Sequence, residues 1–430
     1  MRDSHYNRRS NKEVLQEQVA LLGPVATVFT IFKGFVATAV LFIPFAFVKS
    51  GFGFSAGALF LSLIWVLYSI KLLLETHKVI GGSLPEMGER SWGKGGKILS
   101  DVMLFSSQFS FCLSYVYFIV QQIGGTFILC VTNDDATPTG CDENSGINLT
   151  LAPQKWLWVA ILTVIFTPLV WVRRTEKFAF THIFADIMVI IGLTLVTIFA
   201  TKEIQENGFK ELKFVTPEWA FSVSYAVFAF EGVGVVLPIM EITENKEQYY
   251  KLLTITLIFI CLIFVAFCEY AAFAFGEPQF NKAKPPEQIG GTHALVLQNL
   301  PQNGIVSWVL ACLYSLVVVF TYPLQIAPAN NVLESYIFGG WPKSPKRQWG
   351  KNLCRMLVVF SSCVLTVSMY KYISELLEIA SALTAIPMAF TLPALFHLKV
   401  CADTTGQKVI DWSLVVSSII MSLYCAYNGI

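Results

Sequence analysis

Apolar stretches of membrane-spanning length recur along this chain, separated by short polar gaps. At about 20 residues per crossing, the pattern predicts eleven spans, at 25–48, 53–74, 97–130, 154–172, 179–200, 218–240, 252–276, 304–330, 353–370, 373–396 and 411–428. No gap between them has the length of a soluble domain. The expectation is a polar tail over 1–24 and one membrane domain over 25–428, with a first half at 25–200, a second at 218–396 and an extra helix at 411–428. The span at 97–130 is long enough to tilt or to extend past the bilayer.

Two spans carry the same defect. Residues 25–48 hold Lys33, Gly34 and Pro44, and residues 218–240 hold Glu231, Gly232, Gly234 and Pro238. A charge costs about 2.5 to 3.5 kcal/mol at the centre of a bilayer. Glycine and proline weaken or remove helical hydrogen bonds, so both spans are predicted to be interrupted helices lining a polar cavity. The charge–glycine pairs stand 198 residues apart, which suits five helices and their loops. That predicts two inverted five-helix repeats with an eleventh helix outside them, a pattern that points to a secondary transporter.

Composition agrees with the membrane class. Hydrophobic residues make up 55% of the 430, charged residues 14%, and the mean hydropathy is +0.60, values ill suited to a water-facing surface. A net charge of +1 and the absence of basic runs interleaved with aromatics argue against nucleic acid. Of 30 lysines and arginines, 21 fall in alternate gaps shared with the N-terminal tail, 8 in the opposite set, and Lys33 within a span. That bias predicts a cytosolic or matrix N-terminus. The five histidines are scattered, and no Cys-x-x-Cys, Gly-x-Ser-x-Gly or phosphate-cradling loop occurs, so neither an enzyme nor a metal or other cofactor is expected.

Several motifs resemble one family. KGFVATAVLFIP (33–44) is similar to the first helix of the amino acid/auxin permease family, in particular its proton-coupled and vacuolar amino acid exporter branches. FAFEGVGVVLP (228–238) resembles its sixth helix and TYPLQIAPANNVLES (321–335) its eighth, with weaker matches at 82–97 and 172–193. The resemblance implies a LeuT-like all-α bundle in which a small neutral amino acid sits between unwound parts of helices one and six, bound largely by backbone groups. It also implies coupled protons and a vacuolar, lysosomal or plasma membrane. One departure stands out: the family's usual Gly-Thr-Gly at the first break is Ala37-Thr38-Ala39 here. Alanine is the best helix former and carries a Cβ toward the ligand. This motivates an alternative, a transport-inactive homologue serving as a subunit of a larger assembly, for example in the mitochondrial inner membrane, with partner subunits on the tail.

The candidate substrate residues are Ala37, Thr38, Ala39, Tyr117, Tyr225, Phe230, Glu231 and Gly232, with Phe228 and Tyr322 as further cavity walls; Phe230 is favoured because it abuts the break. The candidate charge network is Lys33, His182, Asp186 and Glu231. His182 and Asp186 stand at i and i+4 on one helix face, and the partner of Lys33 is left open between Glu231 and Asp186. Each acid also has a structural reading as a buried hydrogen-bonding group. Cys130 and Cys141 flank a predicted outer loop with the sequon Asn148-Leu149-Thr150; a disulfide and glycosylation are candidates there in a secretory membrane.

Overall fold

The computed structural model describes residues 22–36, 39–126, 152–172, 179–230, 232–280, 288–300 and 305–428. Helix α1 (Pro24–Val36) leads through a 3-10 turn (Ala39–Leu41) to α2 (Ile43–Ser50), followed by α3 (Phe52–Ile80) and α4 (Leu84–Thr126). Next come α5 (Ala152–Trp171), α6 (Ala179–Asn207) and a second split pair, α7 (Trp219–Ala229) and α8 (Val233–Ile242). Helix α9 (Lys246–Phe275) precedes a small antiparallel hairpin, β1 (Gln279–Phe280) with β2 (Gln288–Gly290). Then follow α10 (Ile305–Phe338), α11 (Pro345–Ser368), α12 (Ile373–Ala380), α13 (Leu392–Val400) and α14 (Thr405–Asn428). Wide π-helical stretches, Ser381–Ala385 and Pro387–Thr391, lie between α12 and α13.

Among the described residues, nine helical segments are long and apolar enough to cross a bilayer, and Pro24–Val36 and Trp156–Trp171 are shorter apolar helices. Large apolar side chains such as Ile64, Val164, Ile190, Phe259 and Ile420 are exposed on the outer faces. Tyr249, Tyr314, Tyr322, Phe118, Phe166 and Phe230 fill the interior. That distribution suits a surface bathed in lipid.

Several boundaries differ from the hydropathy reading. Helix α6 runs on to Asn207 and α10 to Phe338, while α9 begins at Lys246, where the Asn245 side chain accepts from the Gln248 N–H at 3.2 Å. Hydropathy marks only the apolar part of a helix, whereas the hydrogen-bond ladder continues into polar turns until something caps it. The stretch 82–97, expected as a connection, is largely helical and bends at Trp92–Gly93.

The first interruption also moves. Lys33 and Gly34 lie inside α1, which continues to Val36, because a lone glycine costs a helix only about 1 kcal/mol. Gly34 serves packing instead: an added Cβ would stand 3.2 Å from Val235 Cγ2 on α8. After Val36 the described chain resumes at Ala39 as a 3-10 turn, with Ala37 and Thr38 outside the described residues.

A buried ion network ties three other helices. Arg355 on α11, 6% exposed, donates from Nε to Glu334 on α10 at 2.6 Å and from Nη1 to the Val170 carbonyl on α5 at 2.9 Å. Lys351 Nζ lies 2.7 Å from the other Glu334 oxygen. Removing one member of such a cluster strands a buried charge. Arg355→Met is expected to destabilise the protein by about 3 kcal/mol, and the double variant Arg355→Met/Glu334→Leu to recover most of it, read from thermal unfolding in detergent.

Candidate functional site

The two split spans are fastened to each other at both ends. At one end, the C-terminus of α2 meets the N-terminus of α7, where orphan carbonyls and orphan N–H groups face each other. The Ser50 hydroxyl accepts from the Ser222 N–H (3.0 Å) and donates to the Glu218 carbonyl (2.8 Å). Thr216 returns the favour, its hydroxyl donating to the Lys49 carbonyl (2.6 Å) and its N–H to the Ser50 carbonyl (3.0 Å). The Ser222 hydroxyl donates to the Ala46 carbonyl (3.0 Å) and lies 2.6 Å from the Ser55 hydroxyl. Gly51 makes this approach feasible: its φ is +96°, and an added Cβ would fall 2.6 Å from Val215 Cα.

At the other end, the residue before α1 pairs with the residues after α8. The Leu22 N–H donates to the Ile242 carbonyl (2.8 Å), and the Glu244 N–H donates to the Leu22 carbonyl (3.0 Å). Thr27 and Thr243 place their hydroxyls 3.4 Å apart beside this bridge.

Between the fastenings, the helical ladder stops in both spans. After Ala229, Phe230 and Gly232 take non-helical angles (φ/ψ −108/16 and −141/10) before α8 resumes. Gly232 is pressed against the Phe35 ring of α1, where an added Cβ would come within 2.3 Å. The breaks therefore lie side by side.

A cavity of about 10 Å³ opens next to them, lined by Phe42, Ser114, Ser224, Tyr225, Phe228, Leu377 and Ser381. It draws on the first break, α4, α7, α12 and the first π stretch. Its rings are mutually braced: Phe111 stacks on Phe228 (4.7 Å between centroids) and Phe221 on Tyr225 (4.5 Å). Ser114 donates to the Phe111 carbonyl (2.7 Å) and Ser381 to the Ser224 carbonyl (3.3 Å). The Ser224 hydroxyl is fully buried beside the Cys425 thiol and, among the described residues, meets no nitrogen or oxygen partner. Such a group is a ready donor or acceptor for a polar ligand.

Of the sequence-derived candidates, Tyr225 and Phe228 line this cavity. Phe230 does not: it is fully buried against Phe264, 6.2 Å between centroids, because the residue that ends α7 turns its ring into the bundle. Tyr322 is a packing residue, stacked on Phe166 and 2.7 Å from the Ser362 hydroxyl. Tyr117 packs on Tyr370. Ala37, Thr38, Glu231, Cys130, Cys141 and Asn148 lie outside the described residues. Ala39 lies in the 3-10 turn, Lys33 in α1, and His182 and Asp186 in α6, with their side chains outside the description. Phe42, Ser114, Ser224, Leu377 and Ser381 were not anticipated. Serines in mid-span were the available signal.

This is a bundle with a central pair of broken helices, and its likeness to known proteins gives the class. Its fold matches the crystal structure of MhsT in complex with L-phenylalanine, with a TM-score of 0.58 at 12% identity over 94% of this chain and 98% of that one, so it is LeuT-like. The family model "Transmembrane amino acid transporter protein" matches residues 22–430, and the chain belongs to that family. It is 26% identical to Vacuolar amino acid transporter 3 of Saccharomyces cerevisiae over 94% of its length and 56% of the relative's. It is 23% identical to Vacuolar amino acid transporter 4 of the same yeast, over 61% of that protein. It is also 23% identical to amino acid transporter AVT3B of Arabidopsis thaliana, over 96% of each chain. The chain thus spans a little over half the length of the yeast relatives it matches. These relatives are transporters, not enzymes.

The contact between the breaks is directly testable. Gly232→Ala is expected to lower the thermal unfolding midpoint in detergent, and Phe35→Ala added to it to return part of the loss, giving a coupling of about 1 kcal/mol or more in a double-mutant cycle.

Proposed function

We propose that the chain is a secondary active transporter of small neutral amino acids that works by alternating access and is coupled to protons. The proposal includes eleven crossings, arranged as two five-helix repeats and an added helix. The observation that carries it is the pair of split spans, hydrogen-bonded at both ends and interrupted side by side in the middle, next to a cavity that mixes serine hydroxyls with aromatic rings. Freed backbone N–H groups and a half-helix N-terminus suit a carboxylate, and freed carbonyls suit an ammonium. Three serines and three aromatic rings around so small a space favour a short side chain over a long one. The vacuolar relatives favour a vacuolar or lysosomal membrane.

A second reading is a transport-inactive subunit. The small cavity and Ala37-Thr38-Ala39 favour it, since about 10 Å³ holds roughly one water and alanine resists unwinding.

Uptake of labelled L-alanine into proteoliposomes of the purified chain, with and without an imposed pH gradient, separates the two. Saturable, gradient-stimulated flux is expected, and Phe228→Ala should change KM by about tenfold, equivalent to about 1.4 kcal/mol of binding. No flux in the native chain, with flux in Ala37→Gly/Ala39→Gly, would establish the inactive subunit.

A further inference from the structure

We propose that Glu378 is the proton-carrying carboxylate of the transport site, an inference that rests on the transporter reading above. Glu378 lies on α12 between two cavity-lining residues, Leu377 and Ser381. It is 3% exposed inside a membrane-length segment. Among the described residues no hydrogen bond reaches its carboxylate; its charged neighbours act on it through space. They are Lys49 from α2, which attracts, and Glu375 from its own helix and Glu218 at the start of α7, which repel. The other titratable groups around it are Tyr225 from α7 and Cys425 from α14, while Tyr117 from α4 stands by Glu375. Buried carboxylates in membrane spans need compensation and often mark proton pathways.

Among the described residues, the cation of this cluster is already engaged. Lys49 Nζ sits 3.3 Å from Glu218 and 4.2 Å from the centre of the Phe221 ring. This positive charge therefore acts on both Glu218 and Glu378, and Glu378 is the more deeply buried of the two. A proton on Glu378 removes its demand on Lys49 and leaves Lys49 with Glu218. Loss of that proton sets Glu378 in competition for Lys49. The Lys49 carbonyl accepts from Thr216 in the α2–α7 fastening, so the competition acts on the joint that holds the split spans together at that end.

The step is a plain proton transfer. An O–H bond forms at a Glu378 carboxylate oxygen with a proton from water on one face of the membrane, and the same bond breaks when the proton returns to water on the other. No redox partner is needed. Asp411, the other buried acid of this region, is instead engaged by a side chain, His397, whose Nδ1 stands 2.7 Å from Asp411 Oδ2.

The test uses the full chain in proteoliposomes, with labelled L-alanine as the probe and a pH-sensitive dye trapped inside. Two readouts are taken, exchange at equal pH across a range of pH values and accumulation under an imposed proton gradient. In wild type, both are expected to depend on pH. In Glu378→Gln, exchange should become flat with pH, and gradient-driven accumulation with its dye signal should fall about tenfold or more. Glu375→Gln and Glu378→Asp should both retain gradient-driven accumulation and its dye signal, each with a shifted pH midpoint. A wild-type pH profile and dye signal in Glu378→Gln would overturn the proposal while leaving transport intact. Should Glu378→Gln fail to elute as a folded species, Glu378→Asp decides: an unmoved midpoint overturns the proposal. Absence of exchange in wild type would instead overturn the transporter reading, and this inference with it.

Discussion

A bilayer offers no water to an unpaired backbone group, and that constraint organises this molecule. Every place where a spanning helix stops short must find other partners for its N–H and C=O groups, at a cost of several kcal/mol for each that fails. The chain interrupts two spans and then supplies the missing partners from side chains and from each other's ends. Ser50, Thr216, Ser222 and Ser55 do this where α2 meets α7. At the opposite end the backbone of Leu22 and Glu244 does it. The same device recurs at the π-helical stretches before α13, where Ser422 donates to the Ala382 carbonyl at 2.6 Å and Ser69 donates to the Ala389 carbonyl.

The joint at one end and the contact between the breaks differ in kind. The α2–α7 joint is a cluster of hydroxyls, each contributing about 1 kcal/mol net, and it can be rearranged one bond at a time. The α1–α8 contact relies on fit: Gly34 against Val235, and Gly232 against the Phe35 ring. Close packing has little tolerance for small displacements. On the proposed reading, the hydroxyl joint is the part suited to making and breaking, and the glycine contact the part suited to moving as a block. Helix α14 belongs to the same mechanical unit, since Tyr424 stacks on Trp219 at 4.9 Å and Thr391 and Ser418 share a 2.8 Å hydrogen bond. It is held against α7 and the π stretches, so the last described helix in sequence packs onto site elements in space.

The helices were legible because membrane spans are read from composition over long windows, and every described spanning segment falls on one of the anticipated stretches. The break near residue 230 was legible because glycine, proline and a charge coincide there. By the same logic Lys33 and Gly34 look like a defect in one dimension, yet both lie inside α1 and Gly34 is a contact surface for Val235. The cavity wall was mostly illegible. Ser114, Ser224, Leu377 and Ser381 come from different helices, and only tertiary packing brings them together. Phe230 misled because adjacency to a break along the chain says nothing about which way a ring turns once the helix has ended. The His397–Asp411 pair, with Glu75 at 3.3 Å from the other imidazole nitrogen, was invisible for the same reason.

The volume of the cavity sets the size of the motion that transport would need. The space beside the breaks, about 10 Å³, holds roughly one water, and an amino acid is several times larger than a water, so the walls must part to admit one. Four stacked aromatic rings brace the α4–α7 side. On the other side, the first π stretch is joined to α7 at this level by the long Ser381 to Ser224 hydrogen bond of 3.3 Å. Separating α12 and the π turn from α7 is therefore the opening that breaks least, and it would expose the Ser224 carbonyl and hydroxyl together. Wide helical turns accommodate such a shift with small changes in each dihedral. On this argument the opening lies where α12 meets the first π stretch, and the separation between α1 and the 3-10 turn need not widen for a small substrate to enter.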